Sequence, residues 1–188
     1  EILNAARVLS RHKISNIKLY FLIGLPTEES SDIDAIIDLT KQIKHAYFNE
    51  AKHEKGLNQI TLSINPFIPK PFTPFQWSAY EEVKILKQKL KKIRDSLKNE
   101  RKIKVNFDLP KWGYIQTLLS RGDRKVSRIL LEVFNNKSNW TKALKETEIN
   151  PDFFVYRKRD FNEVLPWDFI MGKEKKEKLW AEYNKAVF

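Results

Sequence analysis

Apolar residues recur along this chain first in a helical rhythm and then in short unbroken runs. Ile2, Leu3, Ala6 and Leu9 form one stripe at helical spacing, which predicts a helix over residues 2–12. Ile17–Ile23 follows as a nearly continuous apolar and aromatic run. With so few polar positions it predicts a strand without a wet face, as inside a parallel sheet. Ser31, with Asp34 three residues later, predicts a capping box. The helix it opens would bury Ile33, Ile36, Ile37, Thr40 and Ile43. Residues 47–58 are polar and contain lysines and Gly56, so a surface loop is expected there. Gln59–Asn65 then predicts a second strand. Strand, helix and strand in this order is one βαβ unit of a parallel sheet.

Pro66, Pro69, Pro71 and Pro74 preclude a helix or a central strand through the next stretch. An extended connector pinned by Phe67, Phe72, Phe75 and Trp77 is expected instead. Val83, Leu86, Leu90, Ile93 and Leu97 return to helical spacing. Ile103, Val105 and Phe107 alternate with polar residues, which predicts a half-exposed strand over Lys102–Phe107. Helical patterns follow at Tyr114–Leu119, Val126–Phe134 and Trp140–Leu144. Pro151 suits the first turn of a short helix through Tyr156, and Lys173–Ala186 closes as a charged helix. The fold class read from these patterns is α/β. The boundary falls near residue 78, dividing an α/β portion (1–78) from a mainly helical carboxyl-terminal module (79–188).

Two loops are the first places to look for chemistry, because ligands in parallel sheets sit beyond the carboxyl ends of the strands. The first is Ile23-Gly24-Leu25-Pro26-Thr27-Glu28-Glu29 and the second is Pro66-Phe67-Ile68-Pro69-Lys70-Pro71-Phe72-Thr73-Pro74, preceded by Asn65. They resemble the turns that end the fifth and sixth barrel strands of radical SAM enzymes. Leu119-Ser-Arg-Gly-Asp-Arg124 and Leu165-Pro-Trp-Asp168 are similar to the carboxyl-terminal region of the branch of that superfamily that carries an amino-terminal cobalamin-binding domain.

The resemblance implies the last strands of a partial parallel (β/α) barrel. It implies an enzyme that uses a 4Fe–4S cluster to cleave SAM to a 5′-deoxyadenosyl radical, with cobalamin as a further possible cofactor of the whole protein. By carry-over, Ile23, Gly24 and Pro26 would lie beside the adenosine half of SAM, and Asn65 would wall the same site. The same residues equally suit turns that serve the fold alone. Arg121 and Arg124 are candidates for clamping an anionic substrate bidentately. A helix joint, with Gly122 ending one helix and Asp123 capping the next, accounts for the same residues. Asp168 reads as a cap or a substrate-side contact. Glu28 and Glu29 suit the positive end of a helix better than acid–base chemistry.

Composition changes this picture in two ways. The chain of 188 residues contains no cysteine, and the cluster of that superfamily is held by three thiolates of a CxxxCxxC motif. The reading is therefore a carboxyl-terminal part of a longer enzyme, inactive alone, whose missing amino-terminal part is its first partner. His12, His45 and His53 lack the spacing of a metal site, so no metal ligand and no catalytic residue is assigned. The net charge of +11 is concentrated in residues 84–104, where ten lysines and arginines face two acids. A solvated lysine-rich helix face is one reading. Phosphate contact is the other, making the basic module an RNA-binding or protein-interaction module. No apolar run is long enough to span a membrane, no signal peptide is present, and a cytoplasmic setting is expected. Strand edges left without neighbours would favour a dimer, with Tyr20 and Leu22 near the seam.

Overall fold

The computed structural model describes residues 1–51 and 56–187. The chain forms two compact units, one comprising Glu1–Pro66 with Lys84–Leu109, the other Phe67–Val83 with Pro110–Phe188. The division differs from a single cut near residue 78. The basic helix and the strand after it belong by compactness to the first unit, because that helix is the crossover to a third parallel strand.

In the first unit, helix α1 (Ile2–Arg11) leads into strand β1 (Asn16–Ile23). Helix α2 (Ser30–Ala51), β2 (Gln59–Pro66), α3 (Val83–Leu97) and β3 (Ile103–Phe107) follow. The sheet has the order β1-β2-β3 and both pairings are parallel. Helices α2 and α3 lie together, joined by Lys92 to Asp34 and Ser30, as expected of right-handed crossovers that step in the same direction across a parallel sheet. The register agrees, since Ile17↔Ile60↔Ile103, Leu19↔Leu62↔Val105 and Phe21↔Ile64↔Phe107 share one face. Ile17, Ile23, Ile60, Leu62 and Ile64 are buried there. Ile33, Ile37 and Ile43 of α2 and Leu86, Leu90, Ile93 and Leu97 of α3 are buried too.

The opposite face is open. Lys18, Tyr20 and Leu22 of β1 are exposed, Tyr20 by 68%. The expected strand with no wet face is therefore corrected: β1 alternates, and its apolar run is continuous only because Tyr20 and Leu22 lie on the uncovered side. Thr61, Ser63 and Asn65 are half-buried, while Lys104 and Asn106 are exposed. Across the strands this face reads Lys18–Thr61–Lys104 and Tyr20–Ser63–Asn106.

Other local expectations also change. Helix α2 continues to Ala51 where a loop was expected, because Tyr47 is fully buried and its hydroxyl donates to Ile14 O at 3.0 Å. The remainder of that expected loop at 52–55, with His53, lies outside the described residues. The Ser31–Asp34 capping box does not form. Asp32 instead accepts from Glu29 N at 2.8 Å, and Asp34 pairs with Lys92 at 2.6 Å.

The second unit is built from short pieces: a 3₁₀ turn (Pro74–Trp77), α4 (Pro110–Arg121), α5 (Val126–Asn135), α6 (Trp140–Glu146), α7 (Asp152–Val155) and α8 (Lys173–Val187). Its centre is aromatic. Trp77, Leu165, Trp167, Met171 and Tyr183 form a buried cluster, with Phe75, Phe161 and Trp180 packed against it. Trp77 meets Trp180 edge to face with ring centroids 5.0 Å apart. Trp167 Nε1 donates to Gln76 Oε1 at 2.6 Å, joining positions 91 residues apart. Of the four aromatics expected to pin the proline-rich connector, Trp77 is buried and Phe67 and Phe75 half-buried, but Phe72 is exposed, at a positive φ of 61°.

Candidate functional site

Parallel pairing without a shift brings the carboxyl ends of all three strands to one rim. Leu22 lies opposite Asn65 and Ile23 opposite Pro66, while Asp108 N, just past β3, donates to Ile64 O at 3.2 Å. The rim is therefore made by Ile23–Glu28, Asn65–Pro66 and Asp108. Each strand ends near a proline (Pro26, Pro66, Pro110), which breaks the ladder where the loop must turn away.

Gly24 has a φ of 81°, a region where a side chain would be strained. The turn it makes aims its own N–H at Glu28, whose Oε2 accepts at 2.9 Å. The other carboxylate oxygen accepts from Lys89 Nζ of α3 at 2.6 Å. Both side chains are largely buried, Glu28 at 5% and Lys89 at 14% exposure. Glu28 thus locks the β1–α2 turn to the α3 crossover. Lys89 is not part of a solvated face, and Lys92 contacts Asp34 and Ser30. Lys84, Lys87, Lys91 and Lys98 remain exposed on the basic helix.

The Ile23 side chain is fully buried on the helix-covered face, so it offers the rim only its backbone. Pro26 is half-buried and lines a cavity of about 370 Å³ with Leu22, Leu25, Thr27 and Glu28. Asn65, on the open face, turns its amide nitrogen toward Asp108 Oδ2 at 3.3 Å and Ile64 O at 3.1 Å. Its amide oxygen and the exposed Asp108 carboxylate can accept from a hydroxyl or amine placed above the rim. The rim offers a backbone cradle and acceptors.

Sequence reasoning overlooked Asp108 and Lys89. Asp108 had a readable signal, since an alternating strand ending just before Leu109-Pro110 repeats the pattern of the other two strand ends. Lys89 had none, because one basic residue among ten looks like its neighbours.

The arginine candidates separate. Arg121 is fully buried and donates to Val155 O at 2.9 Å and Arg157 O at 2.8 Å. Arg159, also buried, donates to Arg121 O. Burial, then the nearby Arg159 and Arg157, push the Arg121 guanidinium down to about 9, which leaves it charged at neutral pH. Arg121 clamps the chain's own backbone, which corrects its assignment as a substrate clamp. Arg124 is exposed. Asp123 accepts from Lys125 N at 2.7 Å, closing a turn ahead of α5 rather than capping it, since the residue before α5 is Lys125 and no side chain caps that helix. Asp168 is also structural, accepting from Leu165 N at 2.8 Å and Lys176 Nζ at 2.7 Å. Among the described residues no group of three or more histidines and carboxylates is arranged to hold a metal, and His12 and His45 are exposed.

The chain is 32% identical over 149 residues to the uncharacterized protein MJ0966 of Methanocaldococcus jannaschii, a match covering 79% of this chain. It spans only 30% of that relative's length. No protein-family model matches the chain, and no solved structure does.

Proposed function

We propose that the chain is the carboxyl-terminal portion of a radical SAM enzyme, contributing the last strands of a partial (β/α) barrel. The observation that carries this reading is the common rim, where Gly24 at φ 81° and Asn65 stand at the ends of paired parallel strands. Both match the motif positions that in this superfamily flank SAM. Further support comes from the sheet, whose helices lie on one face while the other carries Lys18, Tyr20, Ser63, Asn65 and Asn106. An arc of a (β/α) barrel has this arrangement, with its site at the carboxyl ends of the strands. The similarity to part of a much longer protein is also consistent with it.

Residues present fit the adenosine half of SAM but not the cluster. The Ile23–Pro26 turn would place its backbone beside the ligand and Asn65 with Asp108 would accept from ribose or base. SAM, bound beside a reduced cluster, supplies a 5′-deoxyadenosyl radical. No cysteine exists in the chain to hold that cluster, so its ligands, and those of any cobalamin, would come from elsewhere in the polypeptide. The substrate is not defined by this portion.

Two measurements test the reading. The encoded sequence upstream of Glu1 should contain CxxxCxxC, and its absence would end the proposal. In the full-length protein, reconstituted anaerobically, Asn65→Ala should weaken SAM binding about tenfold, the loss of roughly one hydrogen bond at 1–1.5 kcal/mol. Unchanged SAM affinity would remove Asn65 from the site.

A further inference from the structure

The second unit contains a cavity of about 440 Å³, within the size range of small-ligand pockets. None of its lining residues belongs to the strand-end rim. Its walls carry four aromatic rings from three stretches of the chain: Trp112 with Tyr114, Trp140 and Tyr156. Ser138, Asn139 and Thr141 add neutral polar groups, and Lys111 is its one charged lining residue.

The rings are held in place by the fold. Trp112 and Tyr114 stand in the first turns of α4 and Trp140 opens α6. The α5–α6 loop turns sharply through Lys137 and Ser138, whose φ values are 52° and 64°. Asn139 then caps α6 by accepting from Lys142 N at 3.1 Å. Tyr114 and Tyr156 lie with ring centroids 5.4 Å apart, and the Tyr114 hydroxyl donates to Asp152 Oδ1 at 2.6 Å. Burial, followed by that bond, raises the Tyr114 phenol well above its ordinary range, so it stays neutral. Trp112 remains 44% exposed, with Lys111 Nζ 5.2 Å above its ring.

Flat π faces, neutral groups able to read a base edge, and one ammonium at the mouth match a planar heterocycle that carries a phosphate. A cationic guest would meet Lys111 already placed over an indole face. We propose that this cavity binds an unpaired nucleobase with its phosphate, taken either from a free nucleotide or from a single strand of RNA.

Tryptophan fluorescence of the chain, titrated with adenosine and uridine monophosphates and separately with a ten-nucleotide single-stranded RNA, tests this. Saturable quenching is expected. Comparable affinity for the mononucleotide and the oligonucleotide assigns the site to free nucleotides, whereas a large gain for the oligonucleotide assigns it to RNA. Trp112→Ala should weaken binding about tenfold or more, the loss of one stacking partner. Trp112→Phe should retain most of it, with the thermal melt unchanged in both variants because the side chain is partly exposed. Lys111→Gln should lower the slope of log affinity against log salt by about one. Absence of quenching by either ligand, binding untouched by Trp112→Ala, or quenching by choline but not by nucleotides would each overturn the proposal.

Discussion

The two units solve the same problem, burying backbone and apolar surface, by opposite means. In the first, three strands and two long crossover helices satisfy their backbone groups within regular structure, and aliphatic Ile and Leu side chains fill the space between layers. Its buried polar side chains are few: the Ser10, Thr40 and Tyr47 hydroxyls donate to backbone carbonyls, and at the strand ends the Glu28–Lys89 pair holds the turn. Among its described residues the second unit has no sheet, and its helices run from 4 to 15 residues. Its connecting segments leave carbonyls without helical partners, and two buried arginines donate to them. Aromatic rings then fill the irregular spaces. Regular elements bury aliphatic stripes; irregular chain requires long polar donors and large rings.

That contrast can be broken experimentally. Ile93→Asp should produce the largest loss, roughly 4 kcal/mol or more, by placing an unpaired charge in the aliphatic layer under α3. The amides of Asn16–Ile23 and Gln59–Pro66 should lose hydrogen-exchange protection first. First losses in α4 or α8 would show that the basic helix belongs with the second unit after all. Arg121→Ala should follow, at about 3 kcal/mol, since it strands two buried carbonyls and opens a cavity. Denaturant unfolding read by near-ultraviolet circular dichroism of the aromatic cluster measures it. A loss below about 1 kcal/mol would mean the arginine clamp is dispensable.

Lys89→Gln should cost about 2 kcal/mol, because Glu28 is left almost buried without its cation. Lys91→Gln on the exposed side of the same helix should be nearly neutral. Equal melting temperatures for the two variants would refute the turn lock. The smallest effect concerns acid. The bonds from Arg157 to Glu163, at 2.6 Å each, hold that carboxyl below its usual range, as Lys44 does for Glu100 in the first unit. A depressed carboxylate contributes stability above its unfolded pKa of about 4.3, and the contribution fades as pH falls through the lower folded value. Glu163→Gln should flatten the acid side of a stability–pH curve by less than about 1 kcal/mol. A variant curve parallel to wild type from pH 6 to pH 3 would remove the pair from the stability of this unit.

Much of this protein was determined by local pattern alone. Helical spacing placed α1 to α5, the apolar run placed β1, and the prolines and Gly24 marked the strand ends that form the rim. Period and backbone restriction act within a few residues, so they can be read directly along the chain. Partnership across the fold was decided only in three dimensions. Whether Ile103–Phe107 joined β2, which face of β1 stayed open, and which basic residue of ten met Glu28 all depend on residues tens of positions away. Arg121 makes the point most clearly: α4 ends just before Gly122 and Asp123 binds a backbone N–H two residues on, both local events. The arginine itself turns inward because Val155 and Arg157, more than 30 residues later, present carbonyls that nothing nearer satisfies. A charged side chain reads as exposed until the fold supplies a buried acceptor, and no local pattern records where that acceptor will be.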